Sequence, residues 1–264
     1  MTASDFSYVQ LAAAYSLLLF PVAIFLWHRV SLVGETVVSI LRMTAQLLFV
    51  GFYLQVVFRW NSPWVNVLWI LVMVLVADAS IIRGCGLRVR LFILPLGLAL
   101  LGGVLVPLLL FVLVLIRPEP ILDARFVIPI AGMILGNCLR ANIVGISSFY
   151  GAIHKREKIW LQALAEGARL HEAIQPFLRD ALHAALAPTI ATMATMGIVS
   201  LPGMMTGVIL GGADPVTAIK YQIAIMLAIF SGAAITVTLA IYLTLGRSFT
   251  PFGILDETLF KPKR

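Results

Sequence analysis

Arg42 and Gln46 stand one helical turn apart inside an otherwise apolar stretch, and they are the side chains best placed to act on a solute. A charge in the middle of a bilayer is costly unless it is paired or hydrated. Such a pair therefore marks either a wet path or an internal partner. Asn137 is a third candidate for a polar lining, and Asp78 is an alternative partner for one of these groups. Arg140 and Lys220 lie near the ends of their apolar stretches, where long stems can carry the charge out to water. A guanidinium beside a path suits an anionic or chelated metal species better than a bare cation.

Met193, Met196, Met204 and Met205 cluster in one stretch. Thioethers suit soft metals such as Cu(I), and methionine is equally the ordinary filler of irregular packing. No His or Cys at ligand spacing accompanies them, so the metal question stays open. Cys85 and Cys138 read as reduced, apolar thiols. No catalytic residue is nominated: the chain has no G-x-x-x-x-G-K-[ST] phosphate loop, no G-x-S-x-G and no H-E-x-x-H. It is not expected to bind ATP itself.

What could hold these groups follows from composition. Of 264 residues 61% are hydrophobic and 12% charged, too little charge to cover a water-soluble domain of that size. A helix needs about 20 apolar residues to cross a bilayer. Windows of that length give seven spans: Tyr8–Trp27, Val37–Phe58, Pro63–Ile82, Leu91–Ile116, Phe126–Tyr150, Ala191–Leu210 and Pro215–Leu245. The runs do not alternate as barrel strands would. An all-α polytopic bundle forming a single transmembrane domain over 1–264 is expected.

With the N-terminus outside, the inner loops hold Arg29, Arg83, Arg88, Arg90, Lys155, Arg156, Lys158, Arg169, Arg179, Arg247, Lys261, Lys263 and Arg264. The outer loops hold only Arg59, Arg117 and Arg125. That asymmetry is the positive-inside pattern and predicts N-out, C-in. The net charge of +7 then reports orientation and affinity for anionic membrane lipid, not nucleic-acid binding. The first span reads as an uncleaved helix in a cell inner (plasma) membrane rather than a secretory signal.

The exception to short connections is 151–190, expected at the cytoplasmic side. Lys155–Glu166 reads as one helix with Ile159, Trp160 and Leu164 on its apolar side. Gly167 interrupts it, and Gln175-Pro176 opens a second helix. Its apolar stripe is Phe177, Leu178, Ala181, Leu182, Ala185 and Leu186, with Arg179, Asp180 and His183 opposite, and Pro188 leads into the sixth span. Two readings stand: a helix lying on the inner leaflet, or an element docking a cytoplasmic partner. The narrow, alanine-rich stripe favours docking. In the sixth span Pro202 and Gly203 sit mid-segment and predict a break, and Gly203, Gly207 and Gly211 predict close helix approach. Gly132 and Gly136 do the same in the fifth.

Several ordered motifs carry a family resemblance: Val127-Ile-Pro-Ile-Ala-Gly-Met-Ile-Leu-Gly-Asn137, Arg179-Asp180, Ala184-Ala-Leu-Ala-Pro188, Leu201-Pro-Gly-Met-Met-Thr-Gly207 and Asp214-Pro-Val-Thr-Ala-Ile-Lys-Tyr-Gln222. Together they resemble the bacterial Fet-type iron-export permeases, whose plant relatives are associated with aluminium tolerance. Arg42 and Gln46 also match that family's second span. The resemblance implies an ABC-type permease, a homodimer working with two copies of a separate ATPase that carries ATP and Mg, and export of iron or another metal. It makes Lys155, Glu157, Leu164, Gly167, Ala168 and Arg169 the coupling segment. Arg42, Gln46 and Asn137 become the path, and Pro202, Gly203, Met204, Met205 and Gly207 the gate. Leu161-Gln162-Ala163 departs from the E-A-A-x-x-x-G signature of ABC importers. The competing classes are an ion-coupled secondary carrier, which needs paired broken helices and an acidic coupling residue such as Asp78, and a membrane scaffold that transports nothing.

Overall fold

The computed structural model describes residues 7–250 and 253–255; Lys261, Lys263 and Arg264 of the charge pattern lie outside the described residues. In lipid each backbone N–H and C=O must be satisfied by the chain itself. Accordingly, the regular structure described is helical, apart from two isolated bridges, Met196 with Ser200 and Phe249 with Leu255. The chain begins with α1 (Tyr8–Ala14), a 3-10 turn (Tyr15–Leu18) and α2 (Leu19–Trp27). Then come α3 (Val33–Trp60), α4 (Pro63–Gly84) and α5 (Val89–Leu110), which runs on as a π-helix (Phe111–Ile116). The rest is α6 (Ala124–Lys155), α7 (Glu157–Ala165), α8 (Leu170–Ala173), α9 (Gln175–Thr195), α10 (Gly203–Leu210) and α11 (Pro215–Ser248).

Six stretches among the described residues are long and apolar enough to cross a membrane: Val9–Trp27, Val33–Trp60, Pro63–Gly84, Val89–Ile116, Ala124–Lys155 and Pro215–Ser248. The remaining expected span, the sixth, Ala191–Leu210, is not a continuous helix. Its first part belongs to α9, which continues through Pro188, and its last part is α10. Pro188 leads into this stretch as expected, inside one continuous helix. Its missing N–H leaves the Ala184 carbonyl without its helical donor, and one turn on, Thr192 adds its hydroxyl to the Pro188 carbonyl at 2.9 Å.

The core lies in α4, α5, α6, α9 and α11, around Ile81, Phe92, Leu96, Ile134, Ile146 and Phe149. Proline inside α5 shows how the bundle meets the constraint on backbone groups. Pro95 frees the Leu91 carbonyl, and the Arg247 guanidinium of α11 donates to it at 2.6 Å. At the opposite end Asn61 closes α3 in a left-handed conformation (φ 39°), and its side chain accepts from the first N–H of α6 at 2.9 Å. Asn66, fully buried on α4, donates to the Leu122 carbonyl at 2.8 Å. Asp123 and Asp214 cap α6 and α11.

Of the expected glycines Gly132 does meet another helix, a Cβ there lying 3.2 Å from Met73 of α4, but the tightest approach falls elsewhere. Nothing stands within 4 Å of a side chain built at Gly136, Gly203 or Gly207. At Gly232 on α11 a Cβ would lie 2.8 Å from the Gly103 carbonyl of α5 and 3.0 Å from Ile134 on α6. Gly103 and Gly232 thus let α5 and α11 touch backbone to backbone. Gly232→Ala is expected to lower the melting temperature, an overpacking cost of about 1–3 kcal/mol. Gly246→Ala, with nothing within 4 Å on the same helix, should leave it level or raise it. Thermal unfolding in detergent compares the two.

Candidate translocation path and docking segment

α3 joins the bundle only through its C-terminal third. Val57 packs with Ala124 and Ile128 of α6, and Tyr53 stacks on Trp69 of α4 with ring centroids 4.0 Å apart. The N-terminal two thirds stand clear of α4–α11. Tyr15 meets Thr44 through their hydroxyls at 2.6 Å. On this free part Arg42 and Gln46 are exposed. The helical period adds Glu35 and Ser39, also exposed, to the same face. Four polar side chains therefore form one stripe along a helix that otherwise suits lipid. Arg42 makes no ion pair among the described residues, where the pairs are Arg156–Asp180 and His171–Glu172. The expected alternative, a bond from Arg42 to Asp78, does not form.

Asn137 does not join this stripe. It is half-buried on α6 and donates its amide to the Met133 carbonyl at 2.8 Å. The same sequence offset relates Met73 to Gly132 and Gly84 to Ile143 across α4 and α6. Carried to Asp78 it falls on Asn137, so the two are level, yet no hydrogen bond links them. Asn142, the other interruption of that span, binds Thr236 of α11 at 2.9 Å. It is glue between helices, as is Tyr150, which reaches Thr244 and Ser248.

The gate candidates surround a break that begins earlier than expected. Met196 to Pro202 is non-helical, Gly197 takes φ 87° and its N–H donates to the Ser200 carbonyl at 2.9 Å. Pro202 is the N-cap of α10 rather than a kink in mid-helix, and Gly203 is its first residue. α10 lies beside the starts of α6 and α11. Met204 and Met205 line a cavity of about 220 Å³ there with Arg125, Pro129, Tyr221 and Gln222.

At the other end, α6 runs unbroken to Lys155 and the expected helix starts at Glu157. Trp160 is its anchor. It is 1% exposed, stacks near Phe177 of α9 and Phe249 (centroids 5.8 and 5.1 Å) and donates its indole N–H to the Gly253 carbonyl at 2.8 Å. Leu164 presses on Gly253, whose φ of 75° favours glycine. Leu164 and Ala168 thus face inward, whereas Lys155, Glu157, Gly167 and Arg169 are exposed. Ile159, expected on the apolar side, is 62% exposed, and Leu161, 39% exposed, flanks the buried Trp160 on its other side. α9 buries its predicted stripe against its own bundle, Ala185 meeting Gly145 of α6, so that stripe is not free to enter a partner's groove. Arg156 pairs with Asp180 at 2.5 Å and lies over the Phe177 ring at 4.8 Å. Burial pushes the Cys85 thiol up, against a smaller opposing pull from the Ser147 hydroxyl, in keeping with a reduced thiol.

Sequence reasoning missed Glu35 and Ser39, although the period from Arg42 would have found them. It also missed the Trp160 junction, because Gly253 lies far along the chain. Trp160→Ala should loosen α7 and 249–255 together, at about 3–5 kcal/mol, seen as faster amide exchange in both segments. Asp180→Asn, breaking an exposed pair, should cost no more than about 1 kcal/mol.

Residues 8–249 match the model of an uncharacterised protein family (UPF0014). The chain is 34% identical to the Arabidopsis thaliana protein ALUMINUM SENSITIVE 3 over 258 residues, 96% of this chain and 91% of that protein. It is 32% identical to the probable iron export permease protein FetB of Escherichia coli over 252 residues, 95% and 96% of the two chains. It is also 30% identical to the UPF0014 membrane protein YjkA of Bacillus subtilis, covering 82% and 85%. No solved structure matches.

Proposed function

The chain belongs to the UPF0014 family of multi-pass membrane proteins, and on that premise we propose that it is the membrane subunit of an ABC-type exporter of iron or another metal. The observation that carries this reading is the polar stripe Glu35–Ser39–Arg42–Gln46 on the free face of α3. Lipid is a poor solvent for that face, and the guanidinium at mid-helix needs water or protein against it. A second copy of the chain, its α3 turned toward the first, would enclose the stripe as a hydrated path. The positive charge in that path suits a metal carried as an anionic or chelated species. The similarity to FetB, a probable iron export permease, supports the cargo and the direction.

The motor is a separate ATPase that binds ATP and Mg at the cytoplasmic side of an inner (plasma) membrane, with the N-terminus outside and the C-terminus inside. Its docking surface is the end of α6 and the exposed part of α7, where Ile159 and Leu161 stand on either side of the buried Trp160, with Lys155 closing α6 and Glu157 and Lys158 on α7. Trp160 ties that helix to α9 and to the segment following α11, so a push on α7 reaches both. The sixth crossing, α9 with α10, is the element with a hinge built in: seven residues without helix and a left-handed Gly197.

The test is transport in vesicles holding this chain and an ABC ATPase subunit that co-purifies with it. Arg42→Ala should cut ATP-driven metal efflux at least about tenfold, equivalent to about 1.4 kcal/mol, with the complex still assembled and ATP still hydrolysed. Arg42→Lys should keep part of it, since charge remains but the fork geometry does not. Undiminished efflux by Arg42→Ala would remove the stripe from the path.

A further inference from the structure

Asp78 is a carboxyl side chain that the path and the docking face leave unused and that, unlike Asp123, Asp180 and Asp214, makes no cap or ion pair among the described residues. It sits on α4, six residues before the helix ends at Gly84, and is fully enclosed at 0% exposure. Among the described residues no donor reaches either of its oxygens. The space it occupies exists because α5 presents Gly97 there: a Cβ on that residue would lie 3.3 Å from Oδ2. Val74, Ala77 and Ile81 on its own helix and Leu96 and Leu100 on α5 belong to the buried apolar core, and Asn137 of α6, level with Asp78, gives its amide to the Met133 carbonyl instead.

Three kinds of partner could neutralise a carboxyl in such a place. A basic side chain is the first, but the charged groups of the helices packed against α4 are Arg90 on α5, Arg125, Arg140 and Lys155 on α6, and Glu35, Arg42 and Arg59 on α3. All are exposed and none pairs with Asp78. His154 on α6 is exposed as well. A metal ion is the second, and it needs several donors, yet the described residues contain no group of three His, Cys, Asp or Glu side chains that could hold one. The third is a proton. An ionised carboxyl stripped of water with no compensating contact is so unfavourable that the group takes up a proton instead. We propose that Asp78 is a proton-binding site at the α4–α5 contact, occupied while the two helices are packed together.

The exchange is a simple one. A carboxylate oxygen takes a proton from hydronium, forming an O–H bond and leaving water, and the reverse step returns it. No other co-reactant is needed. Asp78 lies about 9 Å along α4 from the end of that helix, at 1.5 Å per residue. A parting of α5 from α4 at Gly97 would open it to water there, which makes the bundle's conformation and the proton's occupancy depend on each other. This holds whether or not an ATPase drives the chain.

Infrared spectra of the full chain in lipid vesicles at neutral pH test the site. The chain is prepared with ordinary aspartate and with aspartate carrying carbon-13 in its side-chain carboxyl. A carbonyl band of a neutral carboxylic acid is expected, moved by the isotope and absent from Asp78→Asn. Asp78→Glu should restore an acid band that the aspartate label no longer moves, which decides the matter if Asp78→Asn does not fold. Carboxylate bands alone in the native chain, or an acid band that survives in Asp78→Asn, would overturn the proposal. Neither result bears on whether Arg42 lines the path, so the two readings fail separately.

Discussion

Inside a bilayer a polar group that loses its partner cannot turn to water, and nearly every distinctive contact in this protein answers that constraint. Pro95 frees a carbonyl in α5, and Arg247 arrives from the far end of α11 to take it. Asn61 and Asn66 satisfy the backbone where α3, α4 and α6 meet. Tyr150 and Asn142 join α6 to α11 through hydroxyls that would otherwise face hydrocarbon. The Asn66 side-chain oxygen is buried without a donor among the described residues, and beside it two departures involve charge: a stripe with an arginine that makes no ion pair among the described residues on the open face of α3, and a carboxyl enclosed between α4 and α5. The first calls for a wet surface or a second protein surface; the second calls for a proton.

The architecture divides accordingly. Five helices, α4, α5, α6, α9 and α11, form the tightly packed part, with α5 and α11 in backbone contact at Gly103 and Gly232. The N-terminal helices α1 to α3 lean on this unit through one end of α3, and the polar face lies on the part that leans away. A contact confined to one end suits an element that swings. At the basic end, Trp160 gathers α7, α9 and the chain after α11 into one junction, so that a partner gripping α7 would move parts of the core rather than a loose loop.

Much of this was legible from the residues. Long apolar windows located the helices because lipid imposes a length and a composition, and the stripe from Phe177 to Leu186 was placed correctly because a helix buries one face. The family resemblance carried by the motifs from Val127 to Gln222 is borne out by the match over residues 8–249. Other readings failed for local reasons. Spacing made Gly203 and Gly207 look like packing glycines, but whether a glycine is crowded depends on the helix opposite, and crowding falls at Gly232. Hydropathy drew one span across Ala191–Leu210, since Met196 to Leu201 is apolar although its backbone turns. Asn137 was read with Arg42 and Gln46 as one polar lining, but it sits half-buried on α6 with its amide on the Met133 carbonyl, while Arg42 and Gln46 lie on the exposed part of α3.

The central claim is that the α3 face bearing Glu35, Ser39, Arg42 and Gln46 meets water or protein rather than lipid. Single cysteines along α3, probed with a membrane-impermeant maleimide on the chain in its native membrane, read this directly. Ser39→Cys and Gln46→Cys should react, and their reaction should change when ATP is supplied to the assembled transporter, whereas Leu41→Cys and Leu48→Cys should stay unlabelled. Uniform silence around the helix, or labelling that ignores the stripe, would contradict the account.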